Sequence, residues 1–326
     1  MAFLKNAAIK KLSMGQFFAI NQIIHRKIKT SCSCRSVINM AFASYESTHG
    51  SEKTNVTKPT LAPVIIMHGL FGSKNNWNTL AKVIHQRTNR KVYTPLSLVI
   101  AVDARNHGES PHSSLMSYPD MAEDVIKLLE SLELGKAILI GHSMGGGTMM
   151  YTALNYPERI EKLIVVDFSP LIRTRNTKGL SEMGQIFDAM LSAEIKNGLP
   201  LSESRKLVDR QLTKIIHSET LRQFLLMNLV EYEPGKLKWR VNLPVLAEKF
   251  SNHIAKFPLK GSEQYTGPTL FIGGGRSDYI KKEDHPSIKK LFPRAEIRYI
   301  DGAGHWVQSE KPAEFLDMTV HFINEK

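Results

Sequence analysis

Residues 137–140 form a short apolar run, residues 145–156 carry helical spacing ended by Pro157, and Gly141-His142-Ser143-Met144-Gly145 lies between them. A strand that turns into a helix over so few residues must bend sharply. The residue at the bend takes strained backbone angles, and glycines two positions to either side are needed for the neighbouring elements to come close enough. Ser143 would then project from the rim of a sheet, with the Met144 N–H at a helix N-terminus. The five-residue string alone is a weak signal, and its strand-before, helix-after context makes it informative.

The rest of the chain repeats this rhythm. Residues 37–45 alternate weakly as an opening strand, and a polar stretch at 47–60 leads to the buried run 64–67, which ends at His68-Gly69. A helix with Trp77, Leu80, Val83 and Ile84 on one face comes next, then a strand running into Val102-Asp103. Met121, Val125, Leu128, Leu129 and Leu132 recur at helical spacing, and 163–166 is another strand. From about 171 to 260 the rhythm stops and helical periodicity takes over, for instance at Leu221, Leu225, Leu226 and Leu229, which predicts a helical cap insertion. Strands at 269–272 and 297–300 and a helix bearing Phe315, Met318 and Phe322 close the chain. This alternation predicts an α/β fold, with a mostly parallel central sheet flanked by helices, over residues 36–326.

The net charge of +12 on 326 residues invites a nucleic-acid reading, yet seven Lys or Arg and no acid fall within the first 45 residues before the acidic positions begin. The remaining chain carries only +5, so no nucleic-acid partner is expected. Residues 1–35 mix spaced basic residues, Ser and Thr, and apolar residues at helical intervals, the composition of a mitochondrial presequence. Asn21 and Gln22 break the apolar run that a secretory signal would need. Both cysteines, Cys32 and Cys34, fall in this leader, which leaves disulfides, zinc–thiolate sites and cysteine nucleophiles unavailable to the remainder. No stretch reaches the roughly eighteen apolar residues of a membrane span.

A serine hydroxyl needs a histidine within hydrogen-bond reach to take its proton. Of twelve histidines, His305 stands out in the late loop Asp301-Gly302-Ala303-Gly304-His305-Trp306 after the last strand. It is the expected general base, then acid, for Ser143. Two acids end strands and keep the chain order serine, acid, histidine: Asp167 and Asp278. Neighbouring strands lie about 4.8 Å apart, so either carboxylate could reach the same imidazole. The Met144 N–H is one expected oxyanion donor, and Leu70 in His68-Gly69-Leu70-Phe71-Gly72 supplies the second. His68 reads as a turn residue bonding the backbone, and His142 as a packing neighbour of the bend. Asp103 also ends a strand, but Arg105 offers it a local partner, so 103–110 reads as a structural turn lining the site. Met144, Leu70, Phe71, Phe168, Phe224 and Met227 are expected to line an apolar pocket under the cap.

Together, His68-Gly69-Leu70-Phe71-Gly72-Ser73, Asp103-x-Arg105-Asn106-His107-Gly108-x-Ser110, Gly141-His142-Ser143-Met144-Gly145-Gly146, Asp167-x-Ser169-Pro170 and Gly304-His305-Trp306 resemble the α/β-hydrolase superfamily. Within it the set resembles a mitochondrial branch holding abhydrolase-domain esterases and the ethanol acetyltransferases of yeasts. In that branch the acid corresponds to Asp167, whereas most of the superfamily places it where Asp278 falls. The resemblance implies a serine acyltransferase making short esters from acetyl-coenzyme A and ethanol, with esterase and thioesterase side reactions. Acetyl-coenzyme A would be a substrate, and no bound cofactor or metal is implied. The alternative is a mitochondrial ester or lipid hydrolase, and a third is a catalytically silent binding protein on the same fold. Basic cap residues Arg173, Arg175 and Lys178 could meet coenzyme A phosphates or form a solvated face. A serine at the bend argues against the epoxide hydrolases and dehalogenases of the superfamily, which use aspartate there. The chain departs from the pattern twice: a long stretch at 92–100 precedes the Asp-x-Arg motif, and Gly147 adds a third consecutive glycine that would loosen the first helical turn.

Overall fold

A computed structural model of the protein describes residues 36–45, 61–88, 98–171, 177–259 and 261–325. The expected presequence with Cys32 and Cys34, the polar link at 47–60, residues 92–97, and Arg173 and Arg175 lie outside them, as does the Lys178 side chain. In chain order the first elements are β1 (Phe42–Tyr45), β2 (Val64–Met67), α1 (Asn78–Thr88), β3 (Val99–Val102), α2 (Tyr118–Ser131), β4 (Ala137–His142), α3 (Met144–Asn155) and β5 (Ile160–Val166). The insertion holds α4 (Thr177–Ser192), α5 (Leu201–Leu212), α6 (Glu219–Leu226), β6 (Leu229–Glu233), β7 (Lys236–Trp239) and α7 (Leu243–Lys249). The chain then returns through β8 (Thr269–Gly274), α8 (His285–Leu291), β9 (Ala295–Ile300), α9 (Val307–Glu310) and α10 (Pro312–Asn324).

Among the described residues the central sheet has seven strands in the order β1-β3-β2-β4-β5-β8-β9, all parallel except β1 against β3. β2, β3, β4 and β8 are buried along their whole length, which is why they read as continuous apolar runs rather than alternating ones. Successive side chains still divide between two faces. Ile65 and Met67 join the core under α2 and α3, with Met121, Val125 and Leu129, while Val64 and Ile66 join the core under α1 and α10, with Ile84 and Phe315. β1 is half-exposed and shorter than the expected 37–45, being an edge strand paired on one side only. Lys162, buried on β5, points its ammonium at the carbonyls of Phe322 (2.9 Å), Ile323 (3.3 Å) and Glu325 (2.5 Å), placing a cation at the negative end of α10.

The insertion is not wholly helical. Leu229, expected to continue the preceding helix, instead opens a β-hairpin in which β6 and β7 pair antiparallel across Pro234-Gly235, with Gly235 at φ +72°. The reason is local. Leu-Val-Glu-Tyr-Glu and Lys-Leu-Lys-Trp alternate in polarity about a Pro-Gly turn, and a turn of that type ends a helix. Gly147 also has a reason: a Cβ there would sit 2.4 Å from the Tyr118 ring, so this glycine admits the tyrosine between α2 and α3. Among the described residues, no helix is long and apolar enough to cross a membrane.

Candidate active site

Ser143 stands at the bend between β4 and α3 with φ +53° and ψ −119°, a conformation that a non-glycine residue adopts only under local constraint. Its constraint is the packing around it. A Cβ on Gly141 would lie 2.2 Å from the Gly145 carbonyl oxygen, and one on Gly145 would lie 2.4 Å from that of Met67, so both positions admit only glycine. The Ser143 N–H donates to Val166 O (3.0 Å), tying the bend to the end of β5.

Asp167 comes directly after β5, fully buried and itself at φ +47°. Its Oδ2 receives His305 Nδ1 at 2.7 Å and the Ser277 hydroxyl at 2.5 Å, and its Oδ1 receives the Gly274 N–H at 3.1 Å. The carboxylate holds the imidazole by Nδ1, which leaves Nε2 for the cavity that Ser143 and His305 both line. Asp278 is elsewhere: its side chain is 83% exposed and pairs with Lys281 at 3.1 Å. Of the two acids, the fold brings Asp167 to the imidazole.

Two residues that hold His305, Tyr279 and Glu310, carry no motif of their own, and a third, His142, is the expected packing neighbour of the bend. Tyr279 stacks on the ring, centroids 3.8 Å apart and planes 20° apart. Burial and the nearby Asp167 charge push the Tyr279 phenol up to about 12, so it stays neutral. Glu310 receives the N–H groups of Gly304 (2.9 Å) and Trp306 (3.3 Å), bracing the loop on either side of His305. His142 lies against His305, centroids 4.8 Å apart, with its Nε2 2.9 Å from the His305 carbonyl oxygen. Burial and the neighbouring imidazole hold its pKa down at about 3, so it packs and hydrogen-bonds without titrating near neutrality.

The loop after β2 lies beside the serine: a Cβ on Gly69 would come within 3.1 Å of Ser143 Cβ. Gly69 O accepts the Gly72 N–H (3.0 Å), and Phe71 sits at φ +62°, so residues 69–72 form a turn with a left-handed third position. His68 Nδ1 bonds Gly69 O (2.7 Å) and its Nε2 receives the Ala104 N–H (3.1 Å), the backbone-bonding role expected of it. His107 does the same nearby, its Nε2 receiving the Phe71 N–H at 3.2 Å and its Nδ1 bonding Arg105 O at 2.9 Å. Among the described residues, the N–H groups of Leu70 and Met144 donate to no protein acceptor, and both residues line the cavity.

Arg105 is not the partner of Asp103. It forms a two-pronged pair with Asp124 at 2.7 Å on each side, both side chains fully buried. Asp103 receives Lys74 Nζ at 2.8 Å and the N–H groups of Lys74 (2.6 Å) and Glu109 (2.9 Å). Burial pushes that carboxyl up, but these donors prevail and hold it below the usual carboxylate range. Nor do residues 103–110 line the cavity as expected. Arg105 is long enough to reach past its own strand end to α2, where it also donates to Asp120 O at 3.1 Å, and this anchors the segment behind the turn at 69–72. From there His107 braces the turn.

The cavity, about 550 Å³, opens between the sheet rim and the insertion. Leu70, Phe71, Met144, Phe168, Phe224 and Met227 all line it as expected, and Tyr118, Met183, Ile186 and Phe250 extend the apolar wall.

A family profile described as alpha/beta hydrolase fold matches residues 62–312. The chain is 46% identical over 264 residues to the sn-1-specific diacylglycerol lipase ABHD11 of Mus musculus, covering 81% of each chain. It is 33% identical over 274 residues to a probable alcohol acetyltransferase of Saccharomyces cerevisiae, covering 80% of this chain and 77% of that one. Among solved structures, a marine microorganism esterase superposes with a TM-score of 0.75 at 32% identity, over 87% of this chain and 99% of the other. With the serine bend, the parallel sheet and these relatives in agreement, the chain belongs to the α/β-hydrolase superfamily, among its esterases and lipases.

Proposed function

We propose that the protein is a serine hydrolase of apolar carboxylic esters, acting through an acyl-serine on Ser143. One observation carries this reading: Ser143 and an imidazole held by a buried carboxylate face the same apolar-walled cavity. In the proposed cycle His305 Nε2 takes the Ser143 proton as Oγ attacks the ester carbonyl, and the N–H groups of Leu70 and Met144 hold the resulting oxyanion. Collapse expels the alcohol, which receives the proton from His305. A water deprotonated by His305 then attacks the acyl-serine, and collapse breaks the acyl–Oγ bond, releasing the acid as His305 returns the proton to Ser143 Oγ. Asp167 fixes the imidazole with Nδ1–H inward and stabilises the imidazolium.

A volume of about 550 Å³ lies within the usual range for small-molecule sites, roughly 300–1,000 Å³. Apolar walls suit acyl chains. By likeness to the mouse lipase, a diacylglycerol is the first substrate to try. A second reading, ester synthesis from acetyl-coenzyme A and ethanol, is favoured by the same apolar wall, since a water-poor site lets an alcohol compete with water for the acyl group. We also infer a mitochondrial location from the basic, acid-free residues 1–35.

One set of incubations separates the readings. Purified protein is given a diacylglycerol, or acetyl-coenzyme A with and without ethanol, and fatty acid, acetate and ethyl acetate are quantified. Fatty acid release from the glyceride supports the hydrolase. Ethyl acetate rising with ethanol at the expense of acetate would place the transferase first, and no ester turnover in any arm would overturn both.

A further inference from the structure

Among the described residues, a buried polar side chain of the insertion reaches the backbone of the candidate oxyanion turn. Asn228 lies in the connection between α6 and β6, 1% exposed, and its Nδ2 donates to Phe71 O at 2.8 Å. Its own backbone is pinned on both sides, with the N–H donating to Leu225 O (3.0 Å) and the carbonyl receiving the Arg240 N–H (2.7 Å). The side chain is therefore tied to the position of α6, the helix that brings Leu221 and Phe224 to the cavity.

Phe71 is where that contact matters. It occupies the left-handed third position of the 69–72 turn, which costs a bulky residue energy unless the surroundings hold it there. His107 holds its N–H and Asn228 holds its carbonyl, while the Phe187 ring packs on its ring at 5.2 Å. With Asn228 removed, the carbonyl is left buried without its donor and the turn can relax toward an ordinary negative φ at Phe71. That relaxation turns the Leu70–Phe71 peptide and pulls the Phe71 N–H off His107, so the Leu70 backbone is no longer pinned and its N–H, on the adjoining Gly69–Leu70 peptide, loses its fixed aim beside Ser143. A further observation argues against a packing role: Asn228 Oδ1 is buried with no partner among the described residues. An apolar residue of similar size would avoid that cost, so the amide is explained by what its N–H group holds.

We propose that Asn228 is a positioning residue that couples the cap to the oxyanion turn, holding the Phe71 carbonyl so that the Leu70 N–H faces the reacting oxygen. This rests on the acyl-serine reading above. The test uses the full chain with Asn228→Leu and Asn228→Asp, the first apolar and of similar size, the second isosteric without the donor. Competent sites are titrated to completion with a fluorophosphonate, so that kcat refers only to folded protein. Rates on p-nitrophenyl butyrate are compared with affinity for a trifluoromethyl ketone, which forms an oxyanion on the serine, and for the matching methyl ketone, which does not. Both variants are expected to lose about 10- to 100-fold in kcat per titrated site, with KM within about threefold, and to lose trifluoromethyl ketone affinity by a similar factor while the methyl ketone is unaffected. A kcat per titrated site within about threefold of the parent, or an equal weakening of both ketones, overturns the proposal. Failure of the underlying reading looks different: the parent chain would take no label at Ser143 and Ser143→Ala would keep its turnover.

Discussion

At the scale of single residues, the sharpest contrast is between two aspartates that come after strands of one sheet. Asp167 accepts from His305, Ser277 and Gly274 in full burial, while Asp278 faces solvent beside Lys281. Asp167→Asn should therefore lower kcat by about 10³- to 10⁴-fold, by presenting the wrong imidazole tautomer to Ser143. Asp278→Asn should stay within about twofold, because an exposed ion pair contributes little. Steady-state rates of the two variants, measured side by side, check this. Ser143 and His305 are legible in the sequence because glycines precede both and each comes after an apolar run. The acid is not, since alternation puts a carboxylate at the end of more than one strand, and only family resemblance favours Asp167. Tyr279 and Glu310 carry no signal, His107 shows only as a motif member and not as a brace, and Asn228 carries none. Their roles come from contacts across 26, 6, 36 and 157 residues of chain, which no local pattern encodes.

At the scale of elements, the inner strands are readable because burial on both faces demands unbroken apolar runs, and helices because their buried stripe recurs every three to four residues. The hairpin inside the insertion is hidden. Leu221, Leu225 and Leu229 keep helical spacing across the end of α6, and that spacing masks the Pro234-Gly235 turn signal. Lys162 links two elements in a way neither sequence segment announces. Its ammonium satisfies carbonyls at the end of α10 from within β5, so Lys162→Met should destabilise the protein by about 1–3 kcal/mol, leaving those buried acceptors unmet. Urea denaturation is the measurement, and an unchanged midpoint would remove this capping role.

At the scale of the whole molecule, two buried histidines lie by the meeting of sheet rim and insertion: His142 lines the cavity, and His107 braces the turn at 69–72 from behind. Burial, reinforced by neighbouring rings, holds His107 and His142 at about 3, against an ordinary value of 6.5. Between those values the unfolded chain binds protons that the folded one refuses, so stability rises with pH there and falls as pH drops below about 6.5. From pH 7 to pH 5 the loss is roughly 2 kcal/mol for each ring. Denaturation midpoints at those two pH values should differ accordingly, and a flat profile would mean that these rings are charged or solvated in the folded protein. A protonated His107 would set an N–H against the Phe71 N–H that it now accepts, so the turn as folded excludes the charged ring.

The central claim is that an acyl group passes through Ser143. Mixing the protein with excess p-nitrophenyl butyrate, quenching in acid within the first turnovers and measuring intact and peptide masses tests it most directly. One butyryl group should appear on the peptide containing Ser143 and be absent from Ser143→Ala, which should also lose turnover. Continued hydrolysis by Ser143→Ala, or an acyl group found on another residue at a kinetically competent rate, would contradict the account.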